Sequence, residues 1–262
     1  MKIVAILGSP RSKGSGYRIA RQIEARLQLK EPTDFEYIAL ADENLELCRG
    51  CFLCVRKGVD LCPLQDYRNA LERKIENADG VVLVSPCYVS NVSWLMKNFI
   101  DRFCYTNHRP KFFGQKLMLV SNAGAGMEKT LAALRLALGG GPEIAAELAY
   151  LSPPWPLDRR VEAKQAGRVR KQTDKLYRAI KRDEARGGLP ARPSFSDFLR
   201  FKFFKKISAD TRDYLTADYE YYRNLEGYYY RTSVSVFKRV AAVAALKVGM
   251  VFMRDLAPRV GD

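Results

Sequence analysis

Lys2-Ile3-Val4-Ala5-Ile6-Leu7-Gly8-Ser9-Pro10-Arg11-Ser12-Lys13-Gly14-Ser15-Gly16 opens the chain as an unbroken apolar run that gives way to a glycine–serine loop. A run of this length without alternation fits a strand buried on both faces, and the amphipathic segment Tyr17–Leu29 after it fits a helix. The unit recurs. Strands are expected at Phe35–Leu40, Gly80–Ser85, Lys116–Ser121 and Glu147–Leu151. Helices are expected at Leu64–Ala78, Val92–Phe103, Glu128–Leu138 and Asp158–Arg186, the last stopped by Gly187-Gly188. Apolar strands separated by helices are βαβ units. The expected fold is therefore α/β, a doubly wound five-stranded parallel sheet in three layers over residues 1–188.

Beyond Pro190-Ala191-Arg192-Pro193 the composition changes, and residues 189–262 read as a helical C-terminal extension rich in basic and aromatic residues. Ser194 and Asp197 stand at capping-box spacing before a segment ending at Ala209. Tyr214–Tyr230 holds seven tyrosines, and Ser233–Leu256 reads as an apolar helix with basic ends. The 262 residues carry a formal net charge of +15. Residues 1–150 hold 20 basic and 16 acidic groups, whereas residues 151–262 hold 24 and 13. Any anionic partner is thus to be sought on the extension first. Four readings of it stand: packing or dimerisation, peripheral contact with an anionic membrane, a lid or docking element, and, least favoured, nucleic-acid binding.

With 47% hydrophobic and 28% charged residues the chain is folded, not a disordered tail. Ile3–Leu7 is too short for a signal-peptide core, and Val240–Met253, broken by Lys247, falls short of the ~20 residues that span a bilayer. A cytoplasmic location is expected, and there six cysteines point to metal or redox chemistry before disulfides.

Two loops invite a ligand. Gly8–Gly16 sits between a strand and a helix, where backbone N–H groups and the helix N-terminus suit a phosphate; Ser9, Arg11, Lys13 and Ser15 are the candidate contacts. It is neither a Walker A loop nor a dinucleotide fingerprint. Ser85-Pro86-Cys87-Tyr88-Val89-Ser90-Asn91-Val92-Ser93 follows the third strand, and in an open sheet of this kind the two loops meet where strand order reverses. Tyr88 offers an aromatic face, and Ser90 and Asn91 offer hydrogen bonds to a heterocycle. Cys87 lies in the same loop, as a candidate ring contact or as a small buried residue.

Cys48-x2-Cys51-x2-Cys54-x7-Cys62-Pro63 forms a third group. Ferredoxin-type [4Fe–4S] binding uses this opening, with the closing cysteine followed by proline. Zinc is a lesser reading, since structural zinc favours separated Cys-x2-Cys pairs, and four plain thiols remain the alternative.

Gly8-Ser9-Pro10-Arg11, Ser85-Pro86-x-Tyr88-x-Ser90-Asn91-Val92 and Leu95-x-Lys97-x-Phe99-Ile100-Asp101-Arg102 together resemble the NADPH-dependent FMN reductase family of flavodoxin-like proteins, over roughly residues 1–185. The resemblance implies an FMN whose phosphate is held by Ser9, Arg11 and Ser15 and whose ring is lined by Pro86, Tyr88, Ser90, Asn91 and Val92. Ser121-Asn122-Ala123-Gly124-Ala125-Gly126 resembles the family's third flavin loop, which adds Asn122 and Gly124. The cysteine spacing resembles that of the iron–sulfur flavoprotein branch, implying a [4Fe–4S] cluster on Cys48, Cys51, Cys54 and Cys62. The expected function is an FMN-dependent oxidoreductase moving electrons among NAD(P)H or a reduced carrier, FMN and that cluster. The alternatives are a cluster-free NAD(P)H:FMN or quinone reductase, and a non-enzymatic flavodoxin-like carrier docked to a membrane. Many relatives are homo-oligomers, so a dimer or tetramer is expected too.

Overall fold

The computed structural model describes residues 1–11 and 13–252. Ser12 and the end of the expected Ser233–Leu256 helix lie outside the described residues. By its contacts the chain divides into two units: residues 1–49 with 64–190, and residues 50–63 with 191–262.

The first unit is built on strands β1 (Lys2–Leu7), β2 (Asp34–Ala39), β3 (Gly80–Pro86), β4 (Lys116–Ala123) and β5 (Glu143–Leu151). All pair in parallel, in the order β2-β1-β3-β4-β5. This is the expected doubly wound sheet. Period-2 alternation sends Ile3, Ala5, Leu7, Val82, Val84, Met118 and Val120 to one face. There they pack against Ile19, Ile23 and Leu27 of helix α1 (Ser15–Gln28) and Val169, Leu176 and Ile180 of a long helix over Arg159–Glu184. Val4, Ile6, Val81, Leu83, Leu117 and Leu119 face the other way and are equally buried. Burying each such side chain contributes roughly 1.5–3 kcal/mol, which is why continuous apolar runs, not alternating ones, mark these strands.

β5 starts at Glu143, four residues before the expected Glu147. Glu143 pairs in register with Lys116, and its carboxylate lies 3.4 Å from the buried Lys116 ammonium, which also meets Asp183. An ion pair, not apolar patterning, extends the strand.

After β2 the chain enters the second unit and forms the four-residue helix α2 (Leu53–Arg56), returning to the first for α3 (Arg68–Glu76). Helices α4 (Trp94–Arg102) and α5 (Met127–Leu134) follow β3 and β4, and the Arg159–Glu184 helix is α6. The remaining helices, α7 (Phe195–Asp210), α8 (Thr216–Arg223) and α9 (Val236–Phe252), belong to the second unit. Ser194 and Asp197 form the expected capping box at the start of α7. The second unit has its own aromatic core of Phe198, Phe201, Tyr222 and Tyr228, with Val234 and Ala242. Burial pushes the Tyr229 hydroxyl up to about 12, and Tyr229 and Tyr222 share a 2.9 Å hydrogen bond. Thr216 Oγ1 donates to the Arg56 carbonyl at 3.1 Å, so residues 50–63 are tied to the extension.

Candidate functional site

β1, β3 and β4 end side by side, and the loops leaving them are joined by specific contacts. Gly8 N–H donates to the Val84 carbonyl at 2.8 Å, and Ser93 Oγ donates to the Gly8 carbonyl. Ser93 Oγ also accepts from Met96 N–H at 3.2 Å, capping α4, while its own N–H donates to Ser85 Oγ at 3.1 Å. Gly8 is required by close approach: a Cβ there would lie 2.8 Å from Met96 Cβ. Cys87 N–H donates to the Asn122 carbonyl at 3.0 Å, tying the β3 loop to the β4 loop. Gly126, at φ +76°, closes the β4 loop against the β3 loop, where an added Cβ would stand 2.8 Å from Ser90 Oγ.

The β3 loop turns back on itself. Tyr88 and Asn91 exchange two 3.0 Å backbone hydrogen bonds around Val89 (φ 50°) and Ser90 (φ 59°). Both central residues are left-handed, as a tight two-residue turn demands, and for a β-branched valine this is a strained conformation. Strain of this kind concentrates at ligand clamps. Asn91 Oδ1 accepts from Val92 N–H at 2.8 Å, Pro86 and Val92 are buried, and Tyr88 stands exposed.

At the β1 loop, α1 begins at Ser15 with Gly14 as its N-cap, no side-chain cap and no acidic residue in its first turn. Its first N–H groups and the positive end of its dipole are therefore open to an anion. Arg11 N–H donates to Ser9 Oγ at 3.1 Å, and Arg11 and Lys13 are exposed. The sequence reading missed Arg18, whose guanidinium donates to Ser15 Oγ at 3.1 Å; its position one turn beyond Ser15 was the available signal. Arg18 also lines a cavity of about 660 Å³ beside this loop, with Tyr150, Trp155 and Glu162. Behind it Gly16 lets α1 approach β3 and β4, a Cβ there meeting Val84 at 3.0 Å and Asn122 Oδ1 at 3.6 Å. That Oδ1 is buried without a hydrogen-bond partner, while Asn122 Nδ2 donates to Ser152 Oγ at 3.2 Å. Gly124 lies exposed beyond Asn122 with open space where its Cβ would be. Three loops carrying twelve sequence-chosen residues thus come together at the strand-order reversal between β1 and β3.

The cysteines are placed differently. Cys48 is exposed in the first unit, its N–H donating to Asn98 Oδ1 of α4 at 2.9 Å. Asn98 Nδ2 donates to the Leu45 and Glu46 carbonyls at 3.1 and 3.2 Å, and Arg102 Nη1 to the Glu46 carbonyl at 2.7 Å. Arg102 is also paired with buried Asp66. The motif Leu95-x-Lys97-x-Phe99-Ile100-Asp101-Arg102 includes Arg102 and leaves position 98 open, and the anchoring role of Asn98 and Arg102 is not legible in it. Cys51, Cys54 and Cys62 belong to the second unit, around α2 and a 3-10 turn at Val59–Leu61. The donor types suit an iron–sulfur cluster, yet among the described residues no three His, Cys, Asp or Glu side chains are gathered to hold a metal.

The order of the sheet defines a flavodoxin-like fold, and the loops at its reversal, at the carboxyl ends of β1, β3 and β4, are its candidate ligand site. A family model described as NADPH-dependent FMN reductase matches residues 1–149, and the chain belongs to that family of flavin oxidoreductases. Over 117 residues it is 38% identical to an iron-sulfur flavoprotein of Archaeoglobus fulgidus, covering 44% of this chain and 51% of that protein. Over 125 residues it is 30% identical to an NAD(P)H-dependent FMN reductase of Schizosaccharomyces pombe, covering 48% and 59%. The chain spans about half the length of the curated relatives it matches. Among solved structures, RosB superposes with a TM-score of 0.53 at 14% identity over 71% of this chain and 81% of that one. FerB of Paracoccus denitrificans, a flavoenzyme NAD(P)H:(acceptor) oxidoreductase, gives 0.51 at 14% over 69% and 97%. At such identities the likeness bears on the fold alone.

Proposed function

We propose that the chain is an FMN-dependent oxidoreductase that takes electrons from NAD(P)H and delivers them to a redox acceptor. The observation that carries this reading is the joining of the β1, β3 and β4 loops into one rim in a chain of the FMN reductase family. The residues present suit FMN. The uncapped N-terminus of α1, with Ser9, Arg11, Lys13, Ser15 and Arg18, holds the phosphate dianion. Pro86, Cys87, Tyr88, Ser90, Asn91 and Val92, with Asn122 and Gly124 from the β4 loop, hold the ring. Bound there, FMN supplies hydride acceptance and one- or two-electron chemistry. The Tyr88–Asn91 turn, whose left-handed Val89 and Ser90 are locked by the paired backbone bonds, would offer the ring a rigid wall. Water is excluded beneath by fully buried Ser85, Val84 and Val120. No side chain need act as acid or base.

A [4Fe–4S] cluster on Cys48, Cys51, Cys54 and Cys62 is the finer reading, supported by the cysteine spacing and by relatives named iron-sulfur flavoproteins. The alternative is a cluster-free NAD(P)H:FMN or quinone reductase, supported by the likeness to an NAD(P)H-dependent FMN reductase. A homo-oligomer belongs to either reading, resting on the resemblance. The test is a visible spectrum of protein purified without oxygen, with iron, sulfide and NAD(P)H oxidation assayed on the same sample. Flavin bands with turnover support the oxidoreductase. About four iron and four sulfide per chain would decide for the cluster. Failure to retain or take up FMN would refute the whole reading.

A further inference from the structure

The outward face of α9 has a composition unsuited to water. Val236, Phe237, Val240, Val243, Val248 and Val251 all stand exposed, Phe237 by 89%, while Ala242 on the opposite side is fully buried. At 100° per residue these six positions share one broad arc of the helix, a continuous apolar surface and not scattered single residues. Lys247 lies within the arc and Arg239 on its flank, about 40° beyond Val243, and both are exposed. From Gly227 to Phe252 the sequence holds Arg231, Lys238, Arg239 and Lys247 and no acidic residue. The helix is fixed from its other side: Lys238 Nζ donates to the Pro193 carbonyl at 2.9 Å, and Ala242 enters the aromatic core. Its apolar arc is therefore presented outward by the packing of its own unit.

We propose that α9 is a membrane-surface element that lies in the plane of an anionic bilayer, its valines and Phe237 entering the acyl boundary and Arg239 and Lys247 meeting lipid phosphates. Charge complementarity selects this occupant. A second copy of the chain would bring two more basic groups into an apolar interface with no carboxylate among the described residues of α9 to pair them, a costly burial. A nucleic acid would meet the cations but gain nothing from six aliphatic and aromatic side chains. An anionic lipid surface satisfies both, since apolar burial and attraction of basic groups add in interfacial helices. Among the described residues no helix is long and apolar enough to cross a membrane, and Lys247 stands within the apolar arc, which suits a helix lying in the plane of the bilayer.

The test is co-sedimentation of the full chain with vesicles of phosphatidylcholine alone or with one quarter phosphatidylglycerol. The full chain should bind the anionic vesicles, leave the neutral ones in the supernatant, and release as salt is raised. Phe237→Glu/Val240→Glu should bind at least tenfold more weakly, and Arg239→Glu/Lys247→Glu likewise. These positions are exposed, so unchanged circular dichroism and thermal unfolding certify the fold. Three results would overturn the proposal: no binding to anionic vesicles at low salt, binding indifferent to Phe237→Glu/Val240→Glu, or a concentration-dependent dimer that this variant dissociates while vesicles capture nothing.

Discussion

The pair between Arg102 and Asp66 allows a quantitative test of how the cysteine segment is anchored. Its side chains are 1% and 0% exposed, and the bond is bidentate, with Nη2 2.8 Å from Oδ1 and Nη1 on Oδ2. The carboxylate also accepts Glu46 N–H at 2.8 Å and Arg68 N–H at 3.1 Å. Asp66→Ala would leave a buried guanidinium without its counter-charge, and removing one partner of such a pair costs about 3–5 kcal/mol. Arg102→Met should cost a similar amount, since it strands the carboxylate. The double variant removes both charges, so its loss should fall short of the summed single losses by about 2 kcal/mol or more. Equilibrium urea unfolding of the four proteins measures this. Amide exchange at Glu46 and Cys48 should speed up in both single variants, because Glu46 is bonded to the pair and Cys48 to Asn98 one turn away on α4. Strict additivity, or a loss under about 1 kcal/mol for Asp66→Ala, would refute the view that the pair acts as a unit.

Other perturbations test the joined loops. Gly126→Val forces a β-branched residue into φ +76° and sets a Cβ against Ser90 Oγ, so stability should fall by about 1–2 kcal/mol and FMN should bind at least tenfold more weakly; titration by flavin fluorescence checks it. Ser93→Ala removes the α4 cap and the bond to the Gly8 carbonyl, with an expected loss of about 1–2 kcal/mol in urea unfolding; wild-type stability would contradict the role given to Ser93. Burial pushes the Asp66 carboxyl up, but Arg102 and the N–H groups of Arg68 and Glu46 hold it below its ordinary value. Its stabilisation is therefore complete above the unfolded value of about 3.9 and is lost as pH falls through the lower folded value. Asp66→Asn should flatten the acid limb of the stability curve below about pH 4, and an unaltered limb would tell against the assignment.

The sheet was legible because a parallel sheet covered on both sides needs unbroken apolar strands, and Ile3–Leu7, Val81–Val84 and Leu117–Val120 are such runs. The start of β5 was not, because Glu143 is held by Lys116 and no local pattern announces a partner from another strand. The β1 and β3 loops could be paired in advance from strand order alone. What joins them, Ser93 to Gly8, and what closes the β4 loop on the β3 loop, Gly126 to Ser90, depend on approaches between residues far apart in sequence, and only the small size of these residues hinted at it. In α7, Phe198 and Phe201 are buried while Phe195 is 40% exposed, so aromatics are spread around the helix and not confined to one stripe. The tyrosines after α7 complete that core, which no helical periodicity could reveal.

Residues 50–63 belong by contact to the extension, so the chain crosses from one unit to the other at 49, 63 and 190. A single proteolytic cut near 190 would therefore not release the second unit whole; it would leave one fragment holding α2 and another holding its partner α8. The extension is for the same reason no detachable tail. Residues 191–262 grafted onto another scaffold would lack residues 50–63, the segment that packs with them.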